Sequence, residues 1–427
     1  MAKGKYYPRI CDQIIKKKLS ASGALLIEGP KACGKTETGK HFAKSTLFLQ
    51  NPNKYDEYRS ILNTEPSLLL KGDKPRLIDE WQDAPKIFDA VRFDVDQTGN
   101  TGGYILTGSA SPRKNNRPKH SGTGRFARLK MYPMSLFESK ESTGSVSLKQ
   151  LFENKDYKIE GESLLKFEDI VRVICRGGWP NAVINKNNKN KIVSEQFISD
   201  YIDSIINIDI SVDNITRNPQ RMRQILRSYA RNISTMASKQ TIFDDIKAND
   251  VGISRPTLTS YLNVLNQLFI IDEVEAWSTE LRSKTAVRTS NKLQFVDPSI
   301  AAAVLGFNAD KIINNSEIKF LGFLFESLVV RDLRIYSQPI GGTVFHYRDK
   351  NNLEVDCIIE LKDGTWAAAE VKLGGDESIE NAAQNLLKLK KKVNTEPSFL
   401  MVIVGTGQYA YRRQDGILVV PIGALKD

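Results

Sequence analysis

Over 427 residues the chain carries 61 basic against 50 acidic side chains, a formal charge of +11, with 41% hydrophobic and 26% charged residues. That length exceeds one ordinary hydrophobic core and that composition excludes a generally disordered chain, so two or three folded domains are expected. The positive balance favours polyanionic partners such as nucleic acid, and the apolar stretches fall short of the roughly 20 residues a membrane span needs.

From the start, the basic segment Lys3 to Lys18 is followed by no apolar run of signal-peptide type, so secretion is not expected. Cys11, Cys33, Cys175 and Cys357 lack metal-ligand spacing, which points to a reducing, cytoplasmic setting without disulfides. From Gly23 to about Pro133, short apolar runs alternate with amphipathic segments: Ala24 to Ile27, Thr46 to Leu49, Arg76 to Asp79 and Tyr104 to Thr107. Buried runs separated by helices predict a parallel α/β sheet.

Directly after the first run stands Gly29-Pro30-Lys31-Ala32-Cys33-Gly34-Lys35-Thr36, the GxxxxGK[ST] pattern, followed by a predicted helix over Glu37 to Lys44. Its glycines let the backbone fold into a nest of N–H donors at a helix N-terminus, which suits ATP phosphates. Lys35 is expected on the β and γ phosphates and Thr36 on Mg²⁺, with Asp79 as the second metal ligand. Glu80 is expected to orient or deprotonate water. The next strand ends in Thr107-Gly108-Ser109, where Ser109, with Thr107 as second choice, is expected near the γ-phosphate or the attacking water. Cys33 reads as a small residue at a variable position of the loop.

Arg76-Leu77-Ile78-Asp79-Glu80-Trp81-Gln82, Leu106-Thr107-Gly108-Ser109 and Gly124-Arg125 followed by Pro133-Met134-Ser135 resemble the AAA-type ATPases of bacteria and archaea, in a branch with an uncharacterised C-terminal domain. The resemblance is strong to residue 140 and looser beyond. It implies that Arg125, with Arg128 as alternative, approaches nucleotide in the same chain or from a neighbouring subunit, where its charge would stabilise the γ-phosphate oxygens. An arginine acting on a neighbour favours a homo-oligomer. Between Ser111 and Lys130 the chain carries Arg113, Lys114, Arg117, Lys119, Arg125, Arg128 and Lys130 without one acidic residue, the composition of a basic loop.

Asn185 to Lys191 reads as a solvated connector, and Gln196 to Asn266 as mostly helical. Thr241 to Ala248 and Ser254 to Asn266, separated by a turn at Gly252, have helix-turn-helix spacing. Ser254 is the expected N-cap, and Leu258, Tyr261, Leu262 and Leu265 share one face. Leu268 to Ile271 and Val274 to Trp277 are the expected strands of a wing, and the resemblance implies a winged helix. Arg255, Thr257 and Thr259 are candidates for a DNA groove, with Arg217, Arg221, Arg223, Arg227 and Arg231 for phosphates; docking of a protein is the competing role.

In the last part, Thr343 to Arg348, Leu353 to Leu361 and Thr365 to Leu373 are predicted strands joined by hairpin turns. Glu326 on a helix, Asp356 on a strand and Glu370-Val371-Lys372 on the next resemble the PD-(D/E)xK nuclease core. Period-two alternation puts Glu370 and Lys372 on one face, a candidate seat for one divalent metal. The expected architecture is therefore an AAA-like P-loop parallel-sheet domain over 1–140, a helical and winged-helix domain over 141–290, and a restriction-endonuclease-like α/β domain over 291–427. The expected function is an ATPase using ATP and Mg²⁺ that couples nucleotide state to engagement of DNA or a protein, with a candidate nuclease centre. A nucleotide-dependent docking switch without cleavage is the alternative.

Overall fold

The computed structural model describes residues 6–110, 121–154, 156–184, 192–209, 217–248, 252–278, 289–315 and 318–427. They form two compact units, one built mainly on residues up to Pro133 and the other beginning at Met134. The basic residues Arg113 to Lys119 and the connector Asn185 to Lys191 lie outside the described residues.

The first unit runs α1 (Cys11–Ala21), β1 (Ala24–Glu28), α2 (Lys35–Phe42), β2 (Ser45–Phe48), α3 (Tyr55–Thr64), β3 (Arg76–Asp79), α4 (Lys86–Thr98), β4 (Tyr104–Gly108) and β5 (Phe126–Lys130). The strands lie in the order β2-β3-β4-β1-β5 and every pair is parallel. Helices on both faces demand apolar strands, and Ala24 to Ile27 have no exposed surface. Gly39 is required by packing: a Cβ there would stand 2.8 Å from Leu77 Cδ1. The register brings the ends of β1, β3 and β4 to one edge, since Glu28 lies beside Gly108 and Ile78 beside Leu106. In such sheets the ligand seat lies outside the carboxyl ends of the strands.

The second unit opens with β6 (Val146–Ser147), α5 (Leu148–Glu153), β7 (Gly161–Glu162), α6 (Phe167–Arg176), α7 (Pro180–Ile184) and α8 (Ile192–Ser204). The helical stretch continues with α9 (Pro219–Arg231), α10 (Lys239–Lys247), α11 (Arg255–Gln267, whose residues from Asn263 group with the first unit), α12 (Pro298–Val304), α13 (Ala309–Asn315) and the long α14 (Ile318–Ser337). Then come β8 (Thr343–Arg348), β9 (Glu354–Glu360), β10 (Trp366–Lys372), α15 (Asp376–Lys392), β11 (Leu400–Val404), β12 (Tyr409–Arg412), β13 (Leu418–Pro421) and β14 (Leu425–Lys426). A mixed seven-stranded sheet has the order β7-β12-β13-β11-β10-β9-β8. Its apolar face buries Val355, Trp366, Ala368, Val402 and Val419 against Ala382, Ala383, Leu386 and Leu389 of α15. Those four recur at helical spacing, which is why α15 lies on the sheet.

The expected wing needs correction. Leu268 to Ile271 and Val274 to Trp277 do not pair with each other; Ile271 bridges Phe295, Val274 bridges Lys292 and Ala276 bridges His346. The partners of Ile271 and Val274 come from residues 292–295 of the same chain, too far along the sequence for hairpin spacing to reveal. α11 agrees with its predicted face: Leu258, Tyr261, Leu262 and Leu265 are all buried. The arginines are less free than the sequence suggests. Arg217 is buried and donates to Ser260 Oγ at 3.2 Å, Arg223 pairs with Asp203 at 2.7 Å, and Arg255 donates to Gln240 Oε1 at 3.0 Å.

Candidate functional site

The phosphate loop leaves β1 at Gly29 and enters α2 at Lys35. Ala32 and Gly34 take left-handed φ of 61° and 105°, the alternation that turns successive N–H groups to one side. Gly29 is required by close approach, because a Cβ would lie 2.2 Å from Met131 O. Cys33 is buried with its thiol 3.7 Å from Met131 O, in the packing under the loop. Lys35 is 4% exposed, and its ammonium donates to Gly29 O at 2.9 Å and Pro30 O at 2.7 Å. A buried lysine held by carbonyls of its own loop is a cation kept ready for an anion.

Thr36, in the first turn of α2, donates its hydroxyl to Asp79 Oδ1 at 2.8 Å; Thr107 donates to the same oxygen at 2.6 Å. Burial pushes the Asp79 carboxyl up, while Thr107 and Thr36 pull against it. The hydroxyl and the carboxylate form the hard-oxygen pair that Mg²⁺ takes together with water and phosphate. One residue on, Glu80 has φ 57°, an uncommon left-handed conformation for a non-glycine, which swings its side chain away from the strand direction. Its Oε2 accepts from Ser109 Oγ at 2.7 Å, from Ser109 N at 3.3 Å, and from the Gln82 amide. Gly108 permits this turn, as a Cβ there would meet Trp81 Nε1 at 2.8 Å. Thr107 therefore belongs to the Asp79 cluster and Ser109 to the Glu80 cluster, a division the sequence left open.

For Arg125, expected to approach nucleotide in the same chain or from a neighbouring subunit, the same-chain option is corrected. Arg125 precedes β5, its backbone carbonyl accepts from Ala24 N at 3.1 Å, and so it stands at the amino edge of the sheet. The loop begins after Glu28 at the other edge, four strand steps or about 13 Å away. Its exposed guanidinium pairs with Asp96 at 2.6 Å, so Arg125 is no cis ligand of this chain's own phosphate loop. Arg128 pairs with Glu28 at 3.0 Å.

Arg9 went unnoticed in the sequence. Only 7% exposed, it donates to Cys33 O at 2.9 Å and to Tyr132 O at 2.8 Å, propping the loop from below. No motif marks it, and an isolated arginine just before an amphipathic helix is the only signal available. Charged hydrogen bonds of this kind are worth about 1.5–3 kcal/mol each. Arg9→Ala is expected to weaken nucleotide binding roughly tenfold to a hundredfold by loosening the loop, with Arg9→Lys intermediate. A titration with a fluorescent ATP analogue measures this, and unchanged affinity in Arg9→Ala would remove the prop from the account.

In the second unit the four nuclease-like residues do converge. Lys372 donates to Glu370 Oε2 at 2.8 Å and lies 3.6 Å from Asp356 Oδ2, which also accepts from Val371 N at 3.0 Å; Glu326 faces the group from α14. The unexpected member is Lys292. Its ammonium, 2% exposed, lies 2.9 Å from Glu326 Oε1, 3.1 Å from Glu354 Oε1 and 3.1 Å from Asp356 Oδ1. Burial pushes Glu326 and Glu370 up to about 8. For Asp356 burial acts in the same direction, but the ammonium groups of Lys292 and Lys372 outweigh it and hold it below the usual range. The expected metal seat is thus corrected: a lysine stands among the carboxylates, and among the described residues no group of three or more His, Cys, Asp or Glu is arranged to hold an ion.

Strand order, phosphate loop and the Asp79-Glu80 pair define the first unit as a P-loop nucleotide-binding domain. Residues 21–140 match the family model described as an AAA domain, which makes this segment a P-loop domain of the AAA type. Residues 167–311 and 321–425 match two domains of unknown function, DUF8612 and DUF4143. Uncharacterized proteins of Mycobacterium tuberculosis and Mycobacterium bovis are each 22% identical over 412 residues, 95% of this chain and 82% of theirs. A Walker-type ATPase of Pyrococcus abyssi, 14% identical, is covered over 96% of its chain and 70% of this one with a TM-score of 0.41. A Thermotoga maritima RuvB mutant, also 14% identical, gives 99%, 71% and 0.30. Those scores are too low to establish a common overall fold. Among the described residues no helix is long and apolar enough to cross a membrane.

Proposed function

We propose that this protein is an ATPase of the AAA type that binds ATP with Mg²⁺ and couples nucleotide state to engagement of DNA or a protein partner. The observation that carries the reading is the pair of adjoining clusters at the carboxyl edge of the sheet, Thr36–Asp79 at 2.8 Å and Glu80–Ser109 at 2.7 Å, beside the buried ammonium of Lys35. The residues fit the ligands they would hold. Lys35 exchanges loop carbonyls for phosphate oxygens, the loop N–H groups and the start of α2 supply further donors, and Thr36 with Asp79 would hold Mg²⁺. When bound, Mg²⁺ supplies charge neutralisation on the phosphate oxygens. Glu80 accepts a proton from, or orients, the attacking water, while Ser109 and Gln82 fix its carboxylate and withdraw when water takes their place.

Arg125, exposed at the far edge of the sheet, serves a nucleotide only in a neighbouring copy, so the proposal includes a homo-oligomer. In the second unit the docking reading is favoured over cleavage, and Lys292 among the carboxylates is the observation that favours it. The charge of +11 supports DNA as the polyanionic partner. The test is hydrolysis by the purified protein with and without duplex, single-stranded and branched DNA. Expected are Mg²⁺-dependent turnover altered by one of these forms, and DNA retention that drops sharply between low and physiological salt. Absence of nucleotide binding sinks the ATPase, and salt-insensitive retention sinks DNA as the partner.

A further inference from the structure

The carboxylate centre of the second unit holds more than the sequence pattern named. Oxygens of Glu326 on α14 and of Glu354 and Asp356, two positions apart on one face of β9, converge on a single point. Carboxyl oxygens are hard donors of the kind a divalent cation takes, although with Lys292 among them these three form no group arranged to hold an ion. The point is already taken by a nitrogen, and the ammonium has three protons for three acceptors.

Nor is Lys292 a surface lysine that happens to reach inward. Its backbone is clamped by reciprocal hydrogen bonds with Val274, both 2.9 Å, and its side chain has 2% exposure. Every surrounding acid has an allotted partner. The second oxygen of Asp356 takes Val371 N and faces Lys372, which also holds Glu370. His346, fully buried beside this group, is lowered to about 4 by burial and by the nearby Lys292 charge, so it adds no further cation at neutral pH. The centre is neutralised from within.

We propose that Lys292 is a built-in cation standing in the place of a divalent metal, so that this centre is a metal site closed by its own chain and opened by removal of one ammonium. The proposal rests on the reading in which the second unit docks without cleaving. Two like charges cannot share one small buried seat, and bound Mg²⁺ would have to displace an ammonium whose backbone is held on both sides.

The experiment uses the full chain without nucleotide, carrying Asp79→Asn to silence the phosphate site, and Mn²⁺ as the probe. Binding is followed by the Mn²⁺ resonance signal and by thermal melting. With Lys292 present, no Mn²⁺ binding that depends on Asp356 is expected. Lys292→Ala or the bulkier Lys292→Met is expected to bind Mn²⁺ on the order of tenfold more tightly or better, with a raised melting temperature that a further Asp356→Asn removes. If a variant folds only when Mn²⁺ is supplied, the proposal is equally supported. Asp356-dependent Mn²⁺ binding with Lys292 in place overturns it, as does failure of both Lys292 variants to bind or be refolded by Mn²⁺. DNA cutting by the wild-type chain that Asp356→Asn abolishes would sink the docking reading as well, whereas metal-blind Lys292 variants with no cutting sink the inference alone.

Discussion

Lys35→Ala is expected to weaken ATP binding by roughly a hundredfold or more, the cost of losing charge-assisted hydrogen bonds to two phosphates. The variant should keep its fold, because the ammonium satisfies only carbonyls of Gly29 and Pro30 that face an accessible loop. Glu80→Gln should behave differently. Its carboxylate touches Ser109 and Gln82 and neither Lys35 nor Thr36, so nucleotide is held nearly as before while turnover falls about 10²–10⁴-fold, the usual value of a positioned base. Titration with a fluorescent ATP analogue and phosphate release under saturating ATP separate the two effects. Wild-type turnover in Glu80→Gln would show that another carboxylate activates water; wild-type affinity in Lys35→Ala would undo the phosphate assignment altogether.

What could be read in the sequence was local. The phosphate loop is eight consecutive residues whose spacing is itself the geometry, and Asp79 and Glu80 end an apolar run that had to be a central strand. Period-two alternation likewise placed Glu370 and Lys372 on one face of β10, and a tight turn was enough to bring Asp356 beside them. The failures were of register and of distance. Arg125 follows Leu106-Thr107-Gly108-Ser109 in sequence, but which end of β1 it meets is decided by the parallel pairing of Ala24 with Phe126, which no composition reveals.

Lys292 illustrates a different limit. Lys292-Leu293-Gln294-Phe295-Val296 alternates in a way that suggests polar residues facing water, yet Lys292 and Gln294 are both 1% exposed. The alternation was legible and its direction was not, because a lysine turns inward only when acids from distant segments wait for it. Arg9 and Arg217 were hidden for the same reason. Arg9 drew no reading of its own and Arg217 was read as a phosphate contact, yet each is held by acceptors that approach from far along the chain.

Arg331→Met is expected to destabilise the second unit by about 3–5 kcal/mol, because it leaves two buried carboxylates without their cation. Arg331 donates to Asp297 Oδ2 at 2.8 Å and to Asp332 Oδ1 at 2.7 and 2.9 Å, and both acids have no exposed surface. The acids have further duties. Asp297 accepts from Gly178 N at 2.9 Å and from Ser299, while Asp332 Oδ2 accepts from Leu136 N at 3.0 Å and Tyr336 OH at 3.2 Å. Phe137 N donates to the same tyrosine oxygen, and Met134 N to Gly178 O at 2.6 Å. The residues around Met134 and Ser135, singled out by resemblance, are thus an anchor of the second unit. A loss of several kcal/mol is a large share of a domain's usual 5–15 kcal/mol, so the melting temperature should fall by many degrees or the unit should fail to fold. Arg331→Lys, which keeps the charge but loses the fork that serves both acids, should fall between. Melting of Arg331→Met within about 0.5 kcal/mol of wild type, the range of ordinary surface changes, would mean that the guanidinium neutralises neither carboxylate.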